Sequence, residues 1–196
     1  MKDIKSRYSK FSLKTLLLII AAILINMLGR YICSSISLPL WLDSLGTFLV
    51  SIVVGPVAGG LVGVISILLN ALLLPESIEY AIVAFLSGIV VGVFYPKDSH
   101  ELFQSFCTAA ITTLTTVTVS TPISIILYDG YIGNKWGDAC VDMLLQSNNS
   151  VVASSFLGQA FIDFPDKVLS ILIIRFALKT YTRIKTGREA DSNGNA

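Results

Sequence analysis

Three ionisable side chains, Asp163, Asp166 and Lys167, lie close together in an otherwise apolar stretch near the end of the chain. An ionisable group at the centre of a membrane-spanning helix costs about 2.5–3.5 kcal/mol, so such groups are normally paired, face the bundle interior and serve function. Asp163 and Lys167 are one helical turn apart, with the acid in the favourable N-terminal position. Two interpretations remain open: the pair neutralises itself, or Lys167, with an aspartate as counter-charge, binds a polar ligand. Pro165 favours the second, because a proline frees backbone groups where a cavity needs them.

Further polar and aromatic residues fall at the ends of apolar stretches. Asp43 follows Trp41, and it either contacts a ligand or begins a helix, since aspartate is favoured at helix starts. Asn70 lies within an apolar stretch and bonds either a neighbouring helix or a ligand. The complete set of predicted substrate-binding residues is Trp41, Asp43, Asn70, Glu79, Tyr128, Asp129, Trp136, Asp163, Asp166 and Lys167.

The composition indicates which elements position these residues. Of the 196 residues, 54% are hydrophobic and 14% are charged, against roughly 25% charged in an ordinary soluble domain. Such a chain cannot assemble a polar exterior, and a lipid bilayer is its natural solvent. We therefore predict an all-α integral membrane protein, a bundle of six transmembrane helices within residues 13–179. The predicted spans are residues 13–29, 42–54, 57–74, 78–95, 102–127 and 151–178.

Lysine and arginine are concentrated at the two ends of the chain. Next to hydrophobic spans this distribution indicates cytoplasmic ends by the positive-inside rule rather than nucleic-acid tails. We predict a basic N-terminal segment at residues 1–12 and a polar tail at residues 180–196, both cytoplasmic. Residues 128–150 are then external. Their length and aromatic content favour a packed, partly helical lid.

Small and hydroxylated residues follow two further patterns. Gly55, Gly59 and Gly63 recur at intervals of four, which lets neighbouring helices approach closely. Residues 102–127 are rich in threonine before Pro122. Either their hydroxyls bond back to their own helix within the bundle, or a kink at the proline lines a cavity.

The residue patterns of common enzyme sites are missing from the sequence. It has neither a histidine–glutamate zinc motif, nor a phosphate-binding glycine loop with lysine, nor a nucleophile elbow, and His100 is its one histidine. Cys33, Cys107 and Cys140 lack metal-ligand spacing. We therefore predict a protein that binds a small molecule without transforming it and needs no cofactor. Active transport would require a separate energy source.

Four segments in this order resemble the substrate-binding S components of energy-coupling factor (ECF) transporters, the vitamin-uptake branch of the ABC systems. They are WLDSLGT at residues 41–47, GPVAGGLVG at 55–63, STPISIILYDG at 120–130 and DFPDKVLS at 163–170. The resemblance covers most of the chain. It implies that the outer loops and the outer halves of the later helices enclose the ligand, with Asp43, Lys167 and the lid as binding candidates.

The resemblance also implies partners and a location. The protein would be a multi-pass protein of the bacterial cell membrane that binds a vitamin-like nutrient, together with a transmembrane coupling protein and two ATPase subunits. In that family, small residues on the first helix contact the coupling protein; here they are Ala21, Ala22 and Gly29, with Asn26 interrupting the pattern. A related domain occurs as a sensor input, so a membrane sensor or assembly subunit that binds without transport is the alternative.

Overall fold

The structure is a computed structural model that describes residues 12–72, 75–96 and 102–194. These ranges contain seven α-helices, one 3-10 helix and no strand, which confirms the predicted all-α class. The helices are α1 (Leu13–Ser35), α2 (Leu45–Val53), α3 (Pro56–Asn70), the 3-10 helix (Pro75–Tyr80), α4 (Ala81–Phe94), α5 (Leu102–Tyr128), α6 (Lys135–Gln146) and α7 (Val151–Gly194). The predicted N-terminal segment lies outside the described residues except for Ser12, which precedes α1.

Among the residues that the structure describes, two helices, α1 and α5, are long and apolar enough to cross a membrane. The most apolar part of α1 has a mean hydropathy of 2.2, and only 17% of that window is buried. Its outward face carries Leu13, Leu17, Leu24 and Leu28, each more than half exposed. Because a contiguous exposed apolar surface requires an apolar environment or a partner, the structure is compatible with a helical membrane protein.

The second predicted span begins later than the sequence indicated. Residues 42–54 form a helix only over Leu45–Val53, because Leu42 has a positive φ of 48° and its backbone N–H bonds to Asp166 on α7. The predicted helix start at residue 42 is therefore wrong. A helix of this length extends about 14 Å, roughly half the thickness of the hydrocarbon core, so α2 cannot cross a bilayer alone.

The last predicted span and the tail form a single helix. The 44 residues of α7 continue through Pro165 without a break. At 1.5 Å per residue this helix is about 66 Å long. Residues 180–194 of the predicted polar tail are therefore helical and continue the helix of the predicted span.

Glycines bring α2, α3 and α4 into close contact. A Cβ atom added to Gly59 would lie 2.6 Å from the Cα of Ser51, and one added to Gly63 would lie 2.8 Å from the carbonyl oxygen of Ala84. These two positions confirm the predicted close approach. Gly55 has no atom near its missing side chain but adopts a φ of 143°, so it serves the turn before α3 instead.

Asn26 joins α1 to α2 and α3. The residue is completely buried. Its Nδ2 donates hydrogen bonds to Thr47 Oγ1 at 2.9 Å and Ser66 Oγ at 3.0 Å, and its Oδ1 accepts one from the Gly46 N–H at 2.7 Å. The one strongly polar residue of the first span is thus satisfied inside the bundle, and it fixes the position of α1 against two neighbours.

Candidate functional site

Lys167 is the centre of a buried charge cluster on α7. The residue is only 4% exposed. Its Nζ lies 3.0 Å from Asp166 Oδ2, 4.0 Å from Asp163 Oδ1 and 3.5 Å from Ser44 Oγ. The closest counter-charge is therefore its sequence neighbour, and the predicted pair with Asp163 forms the longer of the two ionic contacts. Lys167 is held by one short charged hydrogen bond.

Asp166 uses both carboxylate oxygens within the protein. Its Oδ1 accepts hydrogen bonds from the backbone N–H groups of Leu42 at 2.7 Å and Trp41 at 3.1 Å, while Oδ2 accepts from Lys167. The residue is completely buried and does not line the cavity described below. It therefore positions the loop between α1 and α2 and compensates Lys167, instead of facing a ligand.

Asp163 is less fully engaged than Asp166. Its Oδ2 accepts a hydrogen bond from Thr116 Oγ1 on α5 at 2.8 Å, and its Oδ1 faces Lys167 at the longer distance already given. An ionised carboxylate can accept about four hydrogen bonds. Asp163 lines the cavity, so its remaining acceptor capacity is available there.

Arg30 forms a second charge cluster, with Asp43 and Trp41. Its Nη1 donates to Asp43 Oδ2 at 3.0 Å, and its guanidinium lies 5.1 Å from the centre of the Trp41 ring, within range of a cation–π interaction. The first span was predicted to end at residue 29, which would place Arg30 at the membrane interface. In the structure α1 continues to Ser35, and Arg30 lines the cavity.

The two clusters face a cavity of about 510 Å³, within the range of about 300–1,000 Å³ typical of small-molecule sites. Its wall combines charged, aromatic and hydroxyl-bearing side chains from α1, α5, α7 and the connecting loops. The predicted binding residues that line it are Trp41, Asp43, Tyr128, Asp163 and Lys167.

The other predicted binding residues lie outside the cavity wall. Asn70 and Glu79 are each turned into the protein, where Asn70 Nδ2 and Glu79 Oε2 have no hydrogen-bond partner among the described residues. Asp129 is exposed and adopts a φ of 54°. Trp136 is 51% exposed, and it contacts the rim of the cavity as described below. Asp166 does not line the cavity, but it contacts Trp41 and Lys167, which do.

A chain of polar side chains that the sequence did not single out as a site crosses the cavity wall. Gln159 Nε2 donates to Ser124 Oγ at 3.1 Å, Gln159 Oε1 accepts from Ser120, and the hydroxyls of Ser124 and Tyr80 lie 2.8 Å apart. The Tyr80 and Tyr128 rings are nearly parallel, with centroids 6.4 Å apart. This network supplies hydroxyl, amide and aromatic groups to one side of the cavity.

The hydroxyl-bearing side chains of α5 have different surroundings at different positions along the helix. The half-buried Thr115 and the exposed Thr118 donate to the carbonyls of Ile111 and Leu114, one turn earlier in the same helix. Ser120 and Ser124, on either side of Pro122, line the cavity. The helix itself continues through the proline.

The predicted lid, residues 128–150, contains the helix α6. Asn134 caps this helix, because its Oδ1 accepts from the Trp136 and Gly137 N–H groups. Two hydrogen bonds join the lid to the loop after α1: Asn134 Nδ2 donates to the Leu38 carbonyl at 3.2 Å, and Trp136 Nε1 donates to the Ser37 carbonyl at 2.7 Å. These two hydrogen bonds therefore hold the lid against the loop after α1, at the edge of the cavity.

Two titratable groups of the lid have raised pKa values. Burial raises the pKa of the Asp138 carboxyl, opposed by hydrogen bonds from the Ile132 and Gly133 N–H groups. The hydrogen bond that Tyr131 donates to Asp142 raises the pKa of the Tyr131 hydroxyl. Asp138 and Tyr131 both line the cavity, so the lid contributes hydrogen-bonding groups as well as cover.

If these hydrogen bonds hold the lid closed, weakening them should make Cys33 more accessible to reagents. Cys33 lines the cavity and is only 2% exposed. In a Cys107→Ser/Cys140→Ser background, Trp136→Phe removes the hydrogen bond to Ser37. Without this bond the closed state is about 1 kcal/mol less stable relative to the open state. We therefore expect the open state to be populated about fivefold more, and alkylation of Cys33 to be about fivefold faster. The control is Met143→Leu, an exposed change on the same helix. An unchanged alkylation rate in Trp136→Phe would show that this bond does not hold the lid.

The small residues of α1 mostly pack inside the chain. Ala22 is completely buried, and a Cβ atom on Gly46 of α2 would lie 2.0 Å from its carbonyl oxygen. A Cβ atom on Gly29 would meet the Leu42 carbonyl at 2.0 Å. Of the three predicted partner-contact residues, only Ala21 is on the exposed face. Ala22 and Gly29 therefore pack against neighbouring segments of the same chain.

Fold and site together define an all-helical protein, compatible with insertion in a membrane. Between its helices and a helical lid lies a cavity whose wall includes charged, aromatic and hydroxyl-bearing side chains. Within residues 12–72, 75–96 and 102–194 there is no group of three or more His, Cys, Asp or Glu residues that could hold a metal ion. No family model, no curated protein and no solved structure matches the chain.

Proposed function

We propose that the chain is the substrate-specific membrane subunit of an ECF-type ABC importer. In this role it binds a small water-soluble, vitamin-like nutrient from outside and delivers it with ATP hydrolysed by partner subunits. The observation that carries the proposal is the cavity, whose size suits such a nutrient and whose wall combines charged, hydroxyl and aromatic groups beneath a helical lid. Such a wall orients a polar ligand by several directed contacts.

The proposed topology has six spans, the second formed by α2 together with the loop residues that precede it, and both termini in the cytoplasm. Its support is the charge distribution along α7. The cavity residues Asp163 and Lys167 lie toward one end of this helix, whereas Arg175, Lys179 and Arg183 follow toward the other. Because lysine and arginine favour the cytoplasmic side, the cavity opens to the outside in this arrangement. The protein is then a multi-pass protein of the bacterial cell membrane.

Affinity purification from the native membrane tests the proposal. We expect a coupling protein and two ATPase subunits to copurify with the chain, and mass spectrometry of the extracted sample to find a small polar compound at near-stoichiometric amount. The control is a lid-and-cavity variant, Asp163→Asn/Trp136→Ala, which should lose the compound but keep the partners. Recovery of neither compound nor partners from the wild-type chain would contradict the proposal.

The alternative is a membrane sensor or assembly subunit that binds a ligand without transporting it. The narrow small-residue face on α1, where Ala22 and Gly29 pack internally, favours this alternative because it leaves less surface for a coupling protein. The same purification distinguishes the two functions. Copurified ligand without any ATPase subunit would support the alternative.

A further inference from the structure

The charged side chains around the deep part of the cavity do not balance. Carboxylates outnumber cations there: Asp43, Asp163 and Asp166 stand against Arg30 and Lys167. Arg30 is paired with Asp43, and Lys167 is paired with Asp166, each at 3.0 Å. Asp163 is left as the extra carboxylate, 4.0 Å from an ammonium that already has a closer partner.

No surplus of cations elsewhere at this end of the bundle compensates Asp163. At the cavity mouth, Lys135 is offset by Asp138, which also lines the cavity. The remaining charged side chains described near the lid and the 3-10 helix are the acids Glu79, Asp129 and Asp142. The electrostatic field at the cavity therefore attracts cations and repels anions.

A buried charge without a compensating partner is costly, so the charge of a bound ligand decides its affinity. An anion would place a second negative charge beside Asp163, whereas a cation would complete a third ion pair. The wall also holds the nearly parallel rings of Tyr80 and Tyr128. Aromatic faces attract cations and stack on planar ring systems.

We propose that the cavity selects an aromatic or heteroaromatic monocation, with Asp163 as the counter-ion of the ligand and the tyrosine rings as its stacking surface. This inference rests on the proposed function, because it specifies the ligand class of that same cavity. Asp166 is excluded as the counter-ion, since both of its oxygens are committed to the backbone of the loop and to Lys167.

Three probes of nearly equal shape test the inference: naphthalene-2-carboxamidine, which is a cation, the neutral carboxamide, and the anionic carboxylate. The readout is the unfolding midpoint of the detergent-solubilised protein, since ligand binding stabilises the folded state. The amidine should raise the midpoint and bind at least about tenfold more tightly than the amide, equivalent to about 1.4 kcal/mol. The carboxylate should leave the midpoint unchanged.

Substitution of the proposed counter-ion sharpens the test. Asp163→Asn, which keeps an acceptor for Thr116, should reduce amidine affinity to that of the amide and leave the amide unaffected. The matched control is Asp129→Asn, because Asp129 is exposed, does not line the cavity, and has a left-handed φ that asparagine tolerates. It should retain the wild-type preference. If Asp163→Asn does not fold, the three probes on the wild-type chain decide alone.

The outcomes separate this inference from the proposed function. Equal binding of amidine and amide, or tightest binding of the carboxylate, would overturn the charge selectivity while leaving a ligand-binding subunit. If none of the three probes shifts the midpoint, the inference is overturned. If the wild-type protein then also copurifies with neither a compound nor partner subunits, the proposed function fails with it.

Discussion

Lys167→Ala is expected to lower the free energy of unfolding by about 3–5 kcal/mol, because it leaves Asp166 completely buried without its cation. For a chain of this length, that loss corresponds to a fall in the unfolding midpoint of about 6–20 °C. The variant should also lose the copurified compound, since the loop that Asp166 holds carries Trp41 into the cavity wall.

Two further variants separate the charge effect from simple truncation. Lys135→Ala removes an exposed lysine of α6 and should change stability by no more than about 0.5 kcal/mol. In the double variant Asp166→Asn/Lys167→Met, the asparagine oxygen can still accept from Leu42 and Trp41, and no buried carboxylate is left at position 166. This pair should recover more than half of the lost stability. A Lys167→Ala variant as stable as wild type would contradict the buried ion pair.

Asn26→Leu is the second substitution with a large expected effect. The change keeps the size of the side chain but removes all three hydrogen bonds that connect α1 to α2 and α3, and it leaves the Gly46 N–H without an acceptor. Unsatisfied buried groups cost about 1–3 kcal/mol each, while interhelical hydrogen bonds in membranes average about 0.6 kcal/mol. We expect a loss of about 3 kcal/mol, measured as the unfolding midpoint in detergent.

Ser66→Ala provides the graded comparison, because it deletes one of the three partners of Asn26 and leaves the other two. Its expected cost is about 1 kcal/mol. A gain in stability on replacing Asn26 with leucine would show that the amide is dispensable for packing α1. Equal losses in both variants would show that the contacts of Asn26 with Gly46 and Thr47 contribute nothing to stability.

The part of the site that could be predicted comes from residues that are costly where they stand. Asp163 and Lys167 are conspicuous in an apolar stretch, and the structure brings both to the cavity. The all-α class follows from composition for the same reason. In each case the type of residue limits the surroundings that it can tolerate, so these features could be predicted from the sequence without knowledge of tertiary contacts.

The missed features depend on contacts between distant segments. Asp166 bonds to the Trp41 backbone N–H, 125 positions earlier, and nothing in either segment alone specifies that contact. Arg30 seemed an interfacial residue because α1 was expected to end there, and only the extra turns to Ser35 bring it beside Asp43. The charges of Arg30 and Asp43, separated by an uncharged stretch, were the one available signal for that pair.

Because α7 is one continuous helix, a small tilt at one point produces a larger displacement at its end. The segment from Lys167 to Gly194 measures about 40 Å at 1.5 Å per residue, and a tilt of about 10° around the charge cluster would displace its far end by about 7 Å. The displacement that a small rearrangement of the ion pairs would cause therefore increases with distance along the helix. If ligand binding tilts α7 at the charge cluster, the opposite end of the helix moves by several times the displacement at the cavity.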